Sequence, residues 1–148
     1  TLLASSAASD VYKRQHIRRG DKIVSREMKE LGLSLYIDAV KEKKHISRNV
    51  FIATDDSSVK DELKSILVAE GFNVYCNTAV TQTGFDESLF NTKDKKSRYI
   101  DTLNMLLDMD ILIHSSFFIG TYTSNVSRIV PLYVGFGKSL SLDDEWKL

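Results

Sequence analysis

The apolar positions of this chain follow two alternating patterns from His16 onward. Short continuous apolar runs are typical of buried strands. Those runs occupy residues 49–54, 72–76 and 116–120. Between them, apolar residues recur every three or four positions, which predicts helices. The predicted helical segments are 33–44, 57–70, 99–110 and a segment that opens within 123–130.

The residues between these segments predict where the helices begin and end. Asp56 or Ser57 is a suitable N-cap for the second helix, and Gly71 follows its last turn. Pro131 is expected to end or kink the last helix. Residues 77–96 show neither pattern, so a long loop is predicted there, and loops of that length are usually functional or disordered.

Strands that alternate with helices imply a parallel sheet with right-handed crossovers. The predicted fold class is therefore α/β, a Rossmann-like parallel sheet flanked by helices. The 148 residues are expected to form one domain over 16–148. Residues 1–15 resemble translated adaptor or vector sequence and are left out of this fold. The alternative is a genuine but disordered N-terminal tail.

Composition and charge exclude several function classes. Lys plus Arg and Asp plus Glu both total 20, so no overall positive field favours nucleic acid. Cys76 is the one cysteine, which excludes an intrachain disulfide. No apolar run approaches the roughly 20 residues of a membrane-spanning helix. The two histidines at 45 and 114 lack a second ligand at metal-binding spacing, and no metal site is predicted.

Three polar segments follow the predicted strands, where α/β sheets bind their ligands. They are residues 18–22 (RRGDK), 54–56 (TDD) and 120–125 (GTYTSN). Paired guanidinium groups suit bidentate contact with phosphate, and Gly20 permits the turn that would bring both to one ligand. A helix N-terminus is a further anion site. The segments together favour the diphosphate of a sugar nucleotide, although each alone could be a solvated loop or a helix cap.

These segments resemble, in the same order, motifs of the α1,6-fucosyltransferase family. Residues 16–22 (HIRRGDK) resemble its donor-binding motif, and residues 53–56 (ATDD) resemble a motif that follows a strand in the family. Asp108 in a leucine-rich helix, residues 121–128 (TYTSNVSR) and residues 141–144 (SLDD) complete the similarity. The resemblance implies the nucleotide-sugar-binding half of a GT-B-like glycosyltransferase.

The resemblance also implies a role for individual residues. Arg18 and Arg19 would bind the phosphates of GDP, and His16 and Asp108 would recognise guanine. Thr121 and Ser124 would support the phosphate end, while Lys22 would lie near the reacting centre. The remaining donor-site candidates are Asp21 and Asn125, and the residues expected to organise the catalytic site are Asp55 and Asp56.

The family's presumed general base is a glutamate shortly after the lysine. Here Glu27 lies one position later than the family spacing, which a one-residue insertion would explain, and Glu30 is the alternative. The carboxylate would remove the proton of an acceptor hydroxyl as that oxygen attacks the anomeric carbon of GDP-β-L-fucose with inversion. Arg18 would help stabilise the departing diphosphate, without a metal or another cofactor.

The expected partners are GDP-fucose and a glycan acceptor, with the N-glycan core GlcNAc favoured. Alternatives that stay open are another GDP-fucose transferase, acting on a protein or on chitin oligosaccharides, and a non-catalytic nucleotide-binding module. The resemblance implies a second half upstream, where any membrane anchor would lie. It also implies the Golgi lumen, although the absence of paired cysteines argues slightly against that compartment.

Overall fold

The computed structural model describes residues 31–77 and 86–147 and the backbone of residues 12–17. This part of the chain forms a parallel sheet with helices on both faces. The strands are β1 Tyr12–Ile17, β2 Asn49–Thr54, β3 Asn73–Cys76, β4 Phe117–Gly120 and β5 Ser139–Ser141. The helices are α1 Leu33–Glu42, α2 Ser57–Ala69, α3 Glu87–Thr92, α4 Lys95–Ile113 and α5 Asn125–Val134, with a 3₁₀ turn at Phe136–Lys138.

The strand order in the sheet is β3-β2-β1-β4-β5, so β1 lies at the centre. Every paired neighbour is parallel. The backbone of Gln15 pairs with Ile52 of β2 on one side and with Ile119 of β4 on the other. The strands β2 and β3 therefore lie on one side of β1, and β4 and β5 lie on the other side. The direction of the strand order reverses between β1 and β4.

Alternation along the strands supplies two apolar cores, one on each face of the sheet. On the first face, Val50 and Ile52 of β2 pack with the buried sides of α1 and α2. On the second face, Phe51 and Ala53 of the same strand pack with α4 and α5. These cores account for the apolar runs of the sequence, because a central parallel strand is covered on both faces.

Most predicted elements are confirmed, with shifted ends. The run 49–54 is β2 as predicted, and Asp56 is the N-cap of α2. The last helix continues through Pro131 to Val134, so Pro131 does not end it. The loop predicted at 77–96 contains the short helix α3, which Asp86 caps.

The sheet also contains backbone that the sequence analysis left out. Residues 12–15 belong to β1, whereas the predicted fold began at His16. Pairing with β2 and β4 uses main-chain groups, so a strand can include this polar stretch without an apolar pattern. The origin of residues 1–15 stays a prediction. Among the helices of the described residues, none combines the length and the apolar composition needed to cross a bilayer.

Gly120 ends β4 at a point where there is no room for a side chain. A Cβ atom at this position would lie 2.6 Å from the Phe118 ring and 2.9 Å from the Ser127 hydroxyl, and both residues are fully buried. We expect Gly120→Ala to lower the free energy of unfolding by about 1–2 kcal/mol, because the core must shift to accept the methyl group. Urea denaturation would measure the loss.

Gly137→Ala is the matched control for that substitution. A Cβ atom at Gly137 would meet no atom within 4 Å, so its stability should stay close to that of the wild type. Equal stability of the two variants would contradict the close packing described at Gly120.

Candidate functional site

The strands that precede the three predicted segments end at one edge of the sheet. β2 ends at Thr54, β1 at Ile17 and β4 at Gly120, and these strands are neighbours. Ligands of α/β sheets bind at such an edge where the strand order reverses. His16 lies in β1 with its backbone beside Ala53. The candidates Arg18, Arg19, Asp21, Lys22, Glu27 and Glu30 lie outside the described residues.

The turn after β4 presents two buried hydroxyl groups. Ser124 is the N-cap of α5, and its Oγ accepts a hydrogen bond from the backbone N–H of Ser127 at 3.5 Å. Thr121 is only 2% exposed, and within the described part of the chain its Oγ1 has no hydrogen-bond partner. A buried polar atom without a partner is costly. Thr121 therefore keeps unused hydrogen-bonding capacity in this turn, and its role at a phosphate stays a prediction.

The carboxylate of Asp143 holds this turn in place from the loop after β5. Its Oδ1 accepts from the backbone N–H of Tyr122 at 2.6 Å, and its Oδ2 accepts from the N–H and the hydroxyl of Thr123 at 3.1 and 2.6 Å. Ser141 Oγ donates to Oδ1 at 2.9 Å. Partial burial opposes ionisation, but these hydrogen bonds outweigh it and keep the pKa of Asp143 below its ordinary value.

This contact has a chemical consequence for ligand binding. The backbone N–H groups of Tyr122 and Thr123 are already bound to the Asp143 carboxylate and are not available to a ligand. A ligand phosphate must therefore use other donors. The first amides of α5 lack acceptors within the helix, as in any helix, and the Thr121 hydroxyl lies just before them.

Asp108 is half-buried on α4. This helix lies on the same face of the sheet as α5. Its Oδ1 accepts a hydrogen bond from Asn77 Nδ2 at 3.2 Å, directly after β3 ends. Burial raises the pKa of Asp108 to about 6, and the bond from Asn77 only partly opposes this effect. A desolvated carboxylate with one neutral partner keeps acceptor capacity, which is a property of ligand-binding sites.

The acidic pair after β2 divides into two environments. Asp56 is 7% exposed and caps α2, since its Oδ1 accepts from the N–H and hydroxyl of Ser58 at 2.9 and 2.6 Å. Asp56 also donates its own N–H to Thr54 Oγ1. Asp55 lies half-buried at the end of the strand. The structure thus gives Asp56 a helix-capping role, and the catalytic roles of both residues stay predictions.

Asn125 begins α5 on the exposed side of the turn. Its Oδ1 accepts a hydrogen bond from Arg128, whose guanidinium lies 5.5 Å from the centre of the Tyr122 ring. A groove of about 400 Å³ opens beside these residues. Its lining mixes polar, apolar, aromatic and cationic side chains, namely Asn125, Arg128, Ile129, Leu132, Phe136, Trp146 and Lys147.

Sequence reasoning assigned no role to two residues of this region. Asn77 contacts the predicted site residue Asp108 from 31 positions away, and Asp143 contacts Tyr122 and Thr123 of the predicted 120–125 segment from about 20 positions away. Each follows a strand that ends at the same edge as β4. The signal that could have found them is a polar residue directly after a strand, but β5 was itself not predicted.

No protein-family model matches this chain, and no curated protein matches it.

Proposed function

We propose that this chain is the donor-binding half of an inverting fucosyltransferase that uses GDP-fucose. The fold would be the Rossmann-like, nucleotide-sugar-binding half of a GT-B-like enzyme. The motif resemblance supplies the identity of the donor and favours an N-glycan acceptor in the Golgi lumen. The structure supports the proposal through the α/β fold and the positions of the strand ends, and it carries no information about the sugar.

One observation carries the proposal. The strands that precede the three segments, β1, β2 and β4, are parallel neighbours that end at one edge of the sheet, on both sides of the point where the strand order reverses. Nucleotide-binding α/β sheets use this position, and the order β3-β2-β1-β4-β5 is also the order of the first five strands in dinucleotide-binding sheets. The arginine pair follows the central strand, so its sequence position is the one a diphosphate would require.

The described residues add chemistry that suits a guanosine diphosphate. Asp108 offers a desolvated carboxylate that can accept two N–H donors from the edge of guanine. Thr121 and the start of α5 offer donors for phosphate oxygens. In the transfer step, Glu27 or Glu30 takes the acceptor proton and the acceptor oxygen bonds to the anomeric carbon. The bond to the diphosphate breaks, and its electron pair leaves with GDP near Arg18, Arg19 and Lys22.

Nucleotide selectivity tests this proposal directly. We expect the full chain to bind GDP at least tenfold more tightly than ADP or UDP, because only guanine offers paired donors to one carboxylate. Isothermal titration calorimetry at pH 7.5 would measure the three dissociation constants. Equal affinity for the three nucleotides, or no binding of any, would contradict the proposal.

Turnover separates an enzyme from a non-catalytic nucleotide-binding module. Fucose transfer to N-glycan, peptide and chitin-oligosaccharide acceptors would be measured with the longer enzyme that the proposal implies, in which this chain is joined to its upstream half, as the wild type and as Glu27→Gln. An enzyme would lose transfer in the variant and keep GDP affinity, and the exposed Glu62→Gln on α2 would serve as the control. GDP binding with no transfer to any acceptor would favour the binding module.

A further inference from the structure

Helix α4 exposes a continuous apolar stripe. Of its 19 residues, only Leu112 is buried. The stripe consists of Tyr99, Ile100, Leu103, Leu106 and Leu107, which are between 42% and 67% exposed. Their spacing places them along one side of the helix. Contiguous exposed apolar surface of this kind marks an interaction site rather than ordinary surface.

The charges at the two ends of α4 run against its dipole. Within the helix, Lys95, Lys96 and Arg98 lie in the first turn and Asp110 lies in the last turn. At the caps the order is the favourable one, since Asp94 is the N-cap and His114, the C-cap, lies 3.5 Å from the Asp110 carboxylate. A helix dipole favours acidic residues near the N-terminus and basic residues near the C-terminus. The charges within the two end turns are therefore unfavourable in an isolated helix, and only the cap residues Asp94 and His114 follow the dipole. An antiparallel helix with the same charge order would bring opposite charges together at both ends.

We propose that a second copy of this chain binds the stripe, with the two α4 helices antiparallel about a two-fold axis at Leu103. The stripe is symmetric about that residue. Tyr99 and Leu107 lie four positions from it, and Ile100 and Leu106 lie three positions from it. Lys96 and Asp110 lie seven positions away on either side and on the same side of the helix.

This symmetry is what a two-fold interface requires, because the same patch must be complementary to itself. In the antiparallel pair, Leu103 contacts Leu103 of the second copy, and Tyr99 lies opposite Leu107. Lys96 then faces Asp110 of the second copy at both ends of the interface. An unrelated partner would need neither the symmetric spacing nor the reversed charges. The proposal is independent of the proposed glycosyl transfer.

Sedimentation velocity of the full chain between about 1 and 200 μM would test the dimer. We expect a reversible monomer–dimer equilibrium whose dimer fraction rises with concentration. Leu103→Asp should weaken association at least tenfold, because it places two like charges together at the axis. Val68→Asp is the matched control, since Val68 is 52% exposed on α2 and should leave association unchanged.

Charge reversal gives a second readout that a general loss of stability would not reproduce. Lys96→Glu and Asp110→Lys should each weaken association severalfold, because each places like charges opposite one another. The double variant should restore it. A monomeric wild type at 200 μM would overturn the proposal, as would a dimer insensitive to Leu103→Asp or a double variant weaker than both single variants.

Discussion

Replacing Asp108 with Asn should weaken GDP binding by on the order of 10²-fold, because an ionised acceptor of two base N–H groups is lost. The same change should stabilise the fold above pH 6. Burial raises the pKa of Asp108 to about 6, so the folded protein keeps the charged carboxylate there at a cost. Calorimetric titration with GDP and thermal unfolding at pH 7.5 would measure the two effects.

A matched ligand makes the binding measurement specific to guanine. Inosine diphosphate lacks the exocyclic amine of guanine and therefore offers one N–H donor fewer to the carboxylate. The wild type should prefer GDP to inosine diphosphate, and Asp108→Asn should lose most of this preference. Asp61→Asn is the control, because Asp61 is exposed on α2 and its replacement should change neither preference nor affinity. An unchanged preference in Asp108→Asn would contradict the guanine assignment.

The pH dependence follows from the raised pKa. Between the ordinary value of 3.8 and about 6, the folded chain holds a proton on Asp108 that the unfolded chain has released. The stabilising contribution of this group is therefore complete below 3.8 and is lost as the pH rises through 6. GDP affinity should change in the opposite direction, since the proposed contact with guanine requires the ionised carboxylate. Affinity should fall as the pH drops below 6, and this fall should be absent in Asp108→Asn.

This combination, in which the wild-type residue favours binding and opposes stability, is expected of a site residue. A carboxylate retained only for structure would be held by several donors in the folded state. Asp56 and Asp143 have such partners, whereas the described partner of Asp108 is the single neutral amide of Asn77. This difference in partners supports the proposed ligand-binding role of Asp108, whereas the partners of Asp56 and Asp143 give those carboxylates a structural role.

Local sequence was sufficient for elements that combine a strong pattern with a clear cap. β2 is a continuous apolar run buried on both faces, and both of its ends match the prediction. α2 begins after Asp56 and ends before Gly71, whose φ of 83° suits glycine. In both elements the local residues that start, end or bury the segment are sufficient to predict its bounds, without knowledge of its distant contacts.

The elements that were missed depend on distant contacts. β5 has only three residues, Ser139–Ser141, and no apolar period can appear in so short a segment. Its position is fixed by pairing with β4 and by Trp146, whose Nε1 donates to the Ser139 carbonyl at 3.1 Å. In α4 the helix was predicted, but its apolar stripe faces outward. Periodicity alone cannot tell which partner covers an apolar face.

The candidate site was likewise predictable where local sequence determines it and not where distant contacts do. The position of the 120–125 segment at a strand's end followed from the α/β pattern, and its entry into a helix is confirmed. The contact from Asp143 could not be inferred, because it joins the loop after an unpredicted strand to a turn about 20 residues earlier. The largest loss of stability that we expect in this region is the one caused by removing the Asp143 carboxylate.

Replacing Asp143 with Ala should lower the free energy of unfolding by about 2–4 kcal/mol, because the turn loses a charged acceptor shared by two backbone amides and a hydroxyl. Asp143→Asn should cost less, since its amide oxygen can still accept. Asp144→Ala is the control, because that neighbouring carboxylate is exposed and pairs with Lys147 at the surface. Urea denaturation at pH 7 would rank the three variants.

The pH dependence of that loss distinguishes the carboxylate from the packing of the side chain. The pKa of Asp143 is held below its ordinary value in the folded chain, so its stabilisation is present above 3.8 and is lost as the pH falls through the folded value. The difference between wild type and Asp143→Asn should therefore be largest at neutral pH and shrink in acid. A difference that stays constant from pH 7 to pH 3 would mean that the charge of Asp143 does not hold the turn.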